Sequence, residues 1–126
     1  MVNIKKILAS LVMTSALVLS SNAFAEGATD AKVRAAGEGT VAAMEKAVSL
    51  NSEGADKDQV EDALREARGL QKEFRFEGTE RLRQKAGDKM RVARTQVKDG
   101  DAGAAATLQE LLDMYKEMMQ IYNANH

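Results

Sequence analysis

From Asp30 to Tyr122, apolar and small residues keep returning to one face of a 3.6-residue period. Three polar or glycine-containing breaks interrupt these runs, and no proline occurs anywhere in the 126 residues. The first run holds Val33, Gly37, Val41, Met44 and Val48 and stops at Asn51-Ser52-Glu53-Gly54-Ala55. The second holds Val60, Ala63, Leu64, Ala67, Leu70 and Phe74, with Asp58 and Glu61 at the spacing that satisfies the free amides of a helix start. Phe76-Glu77-Gly78-Thr79 follows, with Thr79 as the expected cap of a third run through Leu82, Ala86, Met90, Ala93 and Val97. Lys98-Asp99-Gly100-Asp101 then offers a glycine to end that helix and an aspartate to cap the next. The fourth run is Leu108, Leu111, Leu112, Tyr115, Met118 and Tyr122. Four amphipathic helices joined by short connections predict an all-α fold, an antiparallel up-down-up-down four-helix bundle built from two αα-hairpins. A shift of 46 residues lays Met44, Ala47 and Gly54 on Met90, Ala93 and Gly100, which suggests that one hairpin repeats the other.

The first 25 residues are a separate matter. Lys5 and Lys6 precede an apolar run from Ile7 to Leu19, and Ala23-Phe24-Ala25 has the small-residue form of a signal-peptidase site. Residues 1–25 are therefore expected to be a cleaved secretory signal, with residues 26–126 as a single domain in the periplasm. The chain has no cysteine, so stability has to come from packing, and covalent c-type haem, thiolate zinc and dithiol chemistry are excluded.

Removing Lys5 and Lys6 leaves 16 basic against 19 acidic residues, a net charge of −3, and the distribution is uneven. Residues 65–98 carry 11 basic and 5 acidic residues, whereas residues 26–64 carry 4 and 9, and residues 99–126 carry 1 and 5. In the expected bundle this gives a basic side and an acidic side. Arg81, Arg83, Lys85, Lys89, Arg91 and Arg94 are the candidate contacts for an acidic periplasmic protein or, peripherally, an anionic membrane, in a monomer or homodimer. Nucleic acid is not an expected partner outside the cytoplasm.

Met114, Met118 and Met119 crowd the fourth helix. Met114 and Met118 are one turn apart, and thioether sulfur suits a soft metal ion such as Cu(I), although methionine also fills gaps in helical cores. Asp99, Asp101 and Glu110 have the outline of a calcium loop, but Gly103, Ala104 and Ala105 lack its ligands. No nucleophile sits in a catalytic setting and His126 is too terminal to be held as a base, so an enzyme is not expected.

In KAVSLNSEGADKDQVEDALREA and KMRVARTQVKDGDAGAAATLQELLDMYKEM the chain resembles the small metal-binding proteins of bacterial periplasms. In DQVEDAL and in the spaced Tyr115 and Tyr122 it is similar to the soluble b-type periplasmic cytochromes. The first resemblance implies a non-catalytic metal-ion carrier. The second implies a haem between a first-helix ligand and a position near Met119, opposite Gly39, Thr40 or Val41. Histidine, on which both families depend, occurs here once, as His126. The export reading predicts that the intact mass of protein from its native host will correspond to a chain starting at Glu26. A mass that retains Met1 to Ala25 would overturn it.

Overall fold

The computed structural model describes residues 25–126, and side chains from Asp30 onward. The signal reading, apart from Ala25, falls outside these residues. The described chain is all-helical. α1 is Ala25–Ser52, α2 is Lys57–Gln71, α3 is Glu80–Asp99 and α4 is Ala104–Ala124, with one short 3-10 turn, Glu77–Thr79, ahead of α3. Each helix packs on two others: α1 on α2 and α4, and α3 likewise on α2 and α4. Among the described residues no helix is long and apolar enough to cross a membrane.

α4 supplies the bulk of the core. Leu108, Leu111, Tyr115 and Met118 are fully covered, with Tyr122 nearly so. The other helices answer with one large side chain each, Met44, Leu64 and Met90, set among small residues: Ala43 and Ala47 from α1, Ala63 and Ala67 from α2, Ala86 and Ala93 from α3. Expected stripes hold well in α3 and α4. In α1 the covered face is Ala36, Gly37, Thr40, Ala43, Met44 and Ala47, while Val33, Val41 and Val48 sit half-buried at its margin. The face turns toward its alanines because small side chains let α1 approach its neighbours closely, and Thr40 can join it because its hydroxyl donates to the Ala36 carbonyl at 2.7 Å.

Helix ends depart from expectation in three places. α2 begins one residue before Asp58, with Asp56 at the cap and no side-chain capping bond, so the Asp58 and Glu61 pairing does not form the start. α2 also ends at Gln71 rather than at Phe74: Gln71 is drawn inward to Tyr115, and the ring of Phe74, still fully buried, lies against Gly37 and the edge of Tyr122. Thr79 does occupy the position ahead of α3, but its hydroxyl turns back to the Phe76 carbonyl at 3.0 Å instead of capping amides. Asp101 accepts the Gly103 N–H at 2.7 Å, and Gly103 takes the capping position of α4. The glycine expectations hold: Gly54 and Gly100, 46 residues apart, take φ values of 72° and 70°, the left-handed geometry that releases a helix end.

Two helical glycines differ in what surrounds them. A Cβ on Gly37 would lie 2.5 Å from the Met119 sulfur and 2.8 Å from the Phe74 ring, whereas nothing lies within 4 Å of one on Gly69. The same substitution should therefore have opposite signs at the two sites. Gly69→Ala should stabilise by about 0.5 to 1 kcal/mol through helix propensity. Gly37→Ala should destabilise by about 1 kcal/mol, overpacking outweighing the same propensity gain. Urea melts of both variants check this.

Candidate functional site

The three methionines of α4 do not share a surroundings. Met118 is fully buried in the core. Met119 lies on the α1 flank, with its sulfur against the notch at Gly37. Met114 is half-buried, one turn from Glu110, whose carboxylate meets Lys89 of α3 at 3.7 Å, so it belongs to the opposite flank. A soft-metal site built from all three would have to take Met118 out of the core and Met119 off Gly37. A haem ligated by Met119 needs a donor across from it. The sulfur lies at the notch of Gly37, where the Phe74 ring also lies, and neither can ligate iron. The residues present thus do not fit either group. Among the described residues no cluster of three or more His, Cys, Asp or Glu offers a harder metal site.

The basic residues of α3 are divided as well. Arg83 is folded onto Glu80 through two hydrogen bonds of 2.7 and 3.2 Å, its side chain only 16% exposed. That hydrogen bond, with the guanidinium charge behind it, holds the Glu80 carboxyl below its ordinary range, against a smaller opposing effect of burial. Lys89 is engaged with Glu110. Arg81, Lys85 and Arg91 are exposed, Arg94 is half-buried, and among the described residues none of these four is in an ion pair. By the 100° step of a helix, Arg81, Lys85 and Val92 fall within about 40° of one another on the outward side of α3, with Arg91 farther round. Val92 is 51% exposed, the one large apolar side chain among the described residues that is mostly in solvent.

Two features escaped sequence reasoning. The first is an open groove of about 390 Å³ between α1 and α4, floored by Val41, Ala42 and Met119 and rimmed by Glu38, Glu45, Lys116 and Gln120. Glu45 meets Lys116 at 4.0 Å, which leaves Glu38 as the unmatched charge of the rim among the described residues. The spacing of Glu38 and Glu45, seven residues with Val41 and Ala42 between them, was the available signal. The second is an aromatic cap where α1 meets the end of α4. His126, expected to hang free, stacks on Tyr122 with ring centroids 4.0 Å apart, and Phe76 meets both rings edge-on. Its Nδ1 lies 2.8 Å from the Tyr122 carbonyl and is therefore the nitrogen that carries a proton. The Tyr122 hydroxyl donates to the Asp30 carboxylate, and Arg34 lies 5.0 Å above the Tyr122 ring while donating to Asn123. Placing His126 one turn after Tyr122 was the signal for this stack. The cap thus brings a carboxylate, a phenol and an imidazole together over the end of the core.

No protein family, no curated protein and no solved structure matches the chain.

Tyr115 is the most strongly perturbed acid. Its hydroxyl donates to the Gln71 side-chain carbonyl at 2.6 Å inside the core, and burial raises its pKa far above the ordinary tyrosine range, with nearby Arg83 pulling the other way. A raised pKa means that the folded chain keeps this proton when the unfolded chain has lost it. The associated stability is present below about pH 10 and is lost as pH rises beyond that. Urea melts should therefore show stability falling above about pH 10. Tyr115→Phe should flatten that fall while costing about 1 to 3 kcal/mol at neutral pH, because Gln71 is left without its donor.

Proposed function

We propose that this chain is a small exported, non-catalytic binding protein, an antiparallel up-down-up-down four-helix bundle that docks an acidic protein partner on the outward side of α3. The observation that carries this reading is the exposure of Val92 on a side of α3 where Arg81, Lys85, Arg91 and Arg94 outnumber Asp88 and Asp99, because such a surface offers an acidic partner one apolar contact and an excess of positive charge. Arg91 and Arg94 extend the positive charge round the helix. The opposed helix directions are supported by contacts that join starts to ends: Arg34 with Asn123, Lys32 with Glu73, and the Lys57 amine with the Lys98 carbonyl. The export reading rests on residues 1–25 of the sequence.

A metal-carrying role, which the resemblance to periplasmic metal-binding proteins implies, has less support because Met118 and Met119 are committed to packing. Partner binding also agrees with the charge distribution, since a chain of net negative charge can attract an acidic partner only through a local concentration of cations.

The test is retention on a poly-glutamate matrix. The unaltered protein should be held at about 0.05 M salt and released by about 0.5 M, where the screening length is only a few ångströms. Replacing Arg81, Lys85, Arg91 and Arg94 together by Gln should abolish retention while leaving the helical CD signal intact, since Gln has nearly the helix propensity of Arg and Lys. Equal retention of the two forms would overturn the reading. Retention on anionic vesicles but not on poly-glutamate would point to a membrane surface in place of a protein.

A further inference from the structure

We infer that the acidic partner of the α3 patch is a second copy of this chain, which receives Val92 in the groove between its own α1 and α4. The inference rests on the docking role of α3 proposed above and goes on to name the occupant. Its basis is the match between two surfaces of one molecule. The patch is an exposed apolar side chain on a side of α3 where Arg81, Lys85, Arg91 and Arg94 outnumber Asp88 and Asp99. The groove is an apolar floor of Val41, Ala42 and Met119 beside the exposed carboxylates of Glu38 and Glu45, of which Lys116 meets only Glu45. The excess of cations on the one surface answers Glu38 on the other, which is unmatched among the described residues.

Glu38 and Glu45 lie three residues to either side of Val41 and Ala42 on α1, so seating Val92 on that floor brings the cations of its own helix, Arg91 next to it in sequence and Lys85 about 10 Å along α3, to the neighbourhood of the two carboxylates. The Lys116 ammonium on the rim is already turned to Glu45, so the incoming cations compete with it chiefly at that position, and Glu38 is the better-placed acceptor.

The two surfaces cannot meet within one molecule. α1 and α3 do not touch among the described residues, and α3 turns its patch away from the core that α4 shares with it. A patch-to-groove contact is therefore head-to-tail. It leaves a free groove on one copy and a free patch on the other, so association does not stop at two unless the rotation between copies closes a ring.

The experiment is a mixing test by analytical ultracentrifugation, from about 10 µM to about 1 mM protein, a range suited to weak association. In low salt the average mass of the unaltered protein should rise with concentration, and it should fall back to the monomer at about 0.5 M salt. Lys85→Glu with Arg91→Glu removes the patch, and Glu38→Lys with Glu45→Lys removes the groove. All four side chains are exposed, and CD melts verify that each variant folds. Each variant alone should remain monomeric. Their equimolar mixture should form a 1:1 dimer and nothing larger, because only one intact patch and one intact groove remain. A mixture that stays monomeric, or variants that assemble as the unaltered protein does, would overturn the inference. If the unaltered protein is monomeric throughout while retention on poly-glutamate still depends on the α3 cations, the copy-to-copy contact fails and the docking role survives. If retention is also indifferent to those cations, both fail.

Discussion

Because α4 brings Leu108, Leu111, Tyr115, Met118 and Tyr122 into the core, the other three helices meet them with one large side chain each, Met44, Leu64 and Met90, set among small ones. The alanines of α1, α2 and α3 are the small ones along most of the length. The need for a small residue is greatest at Gly37, where even a methyl group would press on the Met119 sulfur and the Phe74 ring. Much follows from that one contact. It fixes Met119 on the α1 flank, it pulls Phe74 inward beyond the end of α2, and through Phe74 it positions Tyr122 and the aromatic cap around it. Core side chains packed at crystal-like density leave little freedom to reassign any of these residues to a ligand.

How much of this was legible follows the size of the side chains involved. In α3 and α4 the buried residues include the large ones, and spacing alone identified Met90, Val97, Leu108, Leu111, Tyr115, Met118 and Tyr122. In α1 the buried face is mostly alanine, and alanine is nearly silent in a hydrophobic pattern because it is equally at home on a surface. The three valines carried the stronger signal and pointed about one position away from the true face. Helix ends were read from side-chain chemistry, whereas Thr79 and Asp101 use their oxygens on turns outside the helix and Asp58 makes no cap at all.

The candidate sites were legible in residue type and not in direction. Met114, Met118 and Met119 are adjacent in sequence, yet a helix sends neighbouring side chains about 100° apart, which is enough to separate core from either flank. Six cations in 14 positions of α3 likewise read as one face, but Arg83 and Lys89 are drawn off by Glu80 and Glu110. Glu110 lies on another helix, so that loss could not be anticipated from α3 alone. The groove between α1 and α4 is a property of two helices together, and only its Glu38 and Glu45 rim had a local trace.

The energetics of the α3 surface set the kind of association it can support. Covering the exposed half of Val92 contributes about 1 kcal/mol, given about 1.5 to 3 kcal/mol for a whole buried side chain of this class. Two or three exposed ion pairs add about 0.2 to 1 kcal/mol each. The sum is a few kcal/mol, against about 8 kcal/mol for a micromolar complex. A single contact is therefore weak and short-lived, and raising salt removes most of it. Such an interface gains strength only by repetition, when several copies engage an extended partner or one another at once and the second contact becomes effectively intramolecular. A head-to-tail surface permits that repetition, and a two-fold one does not, since it is used up when the dimer forms.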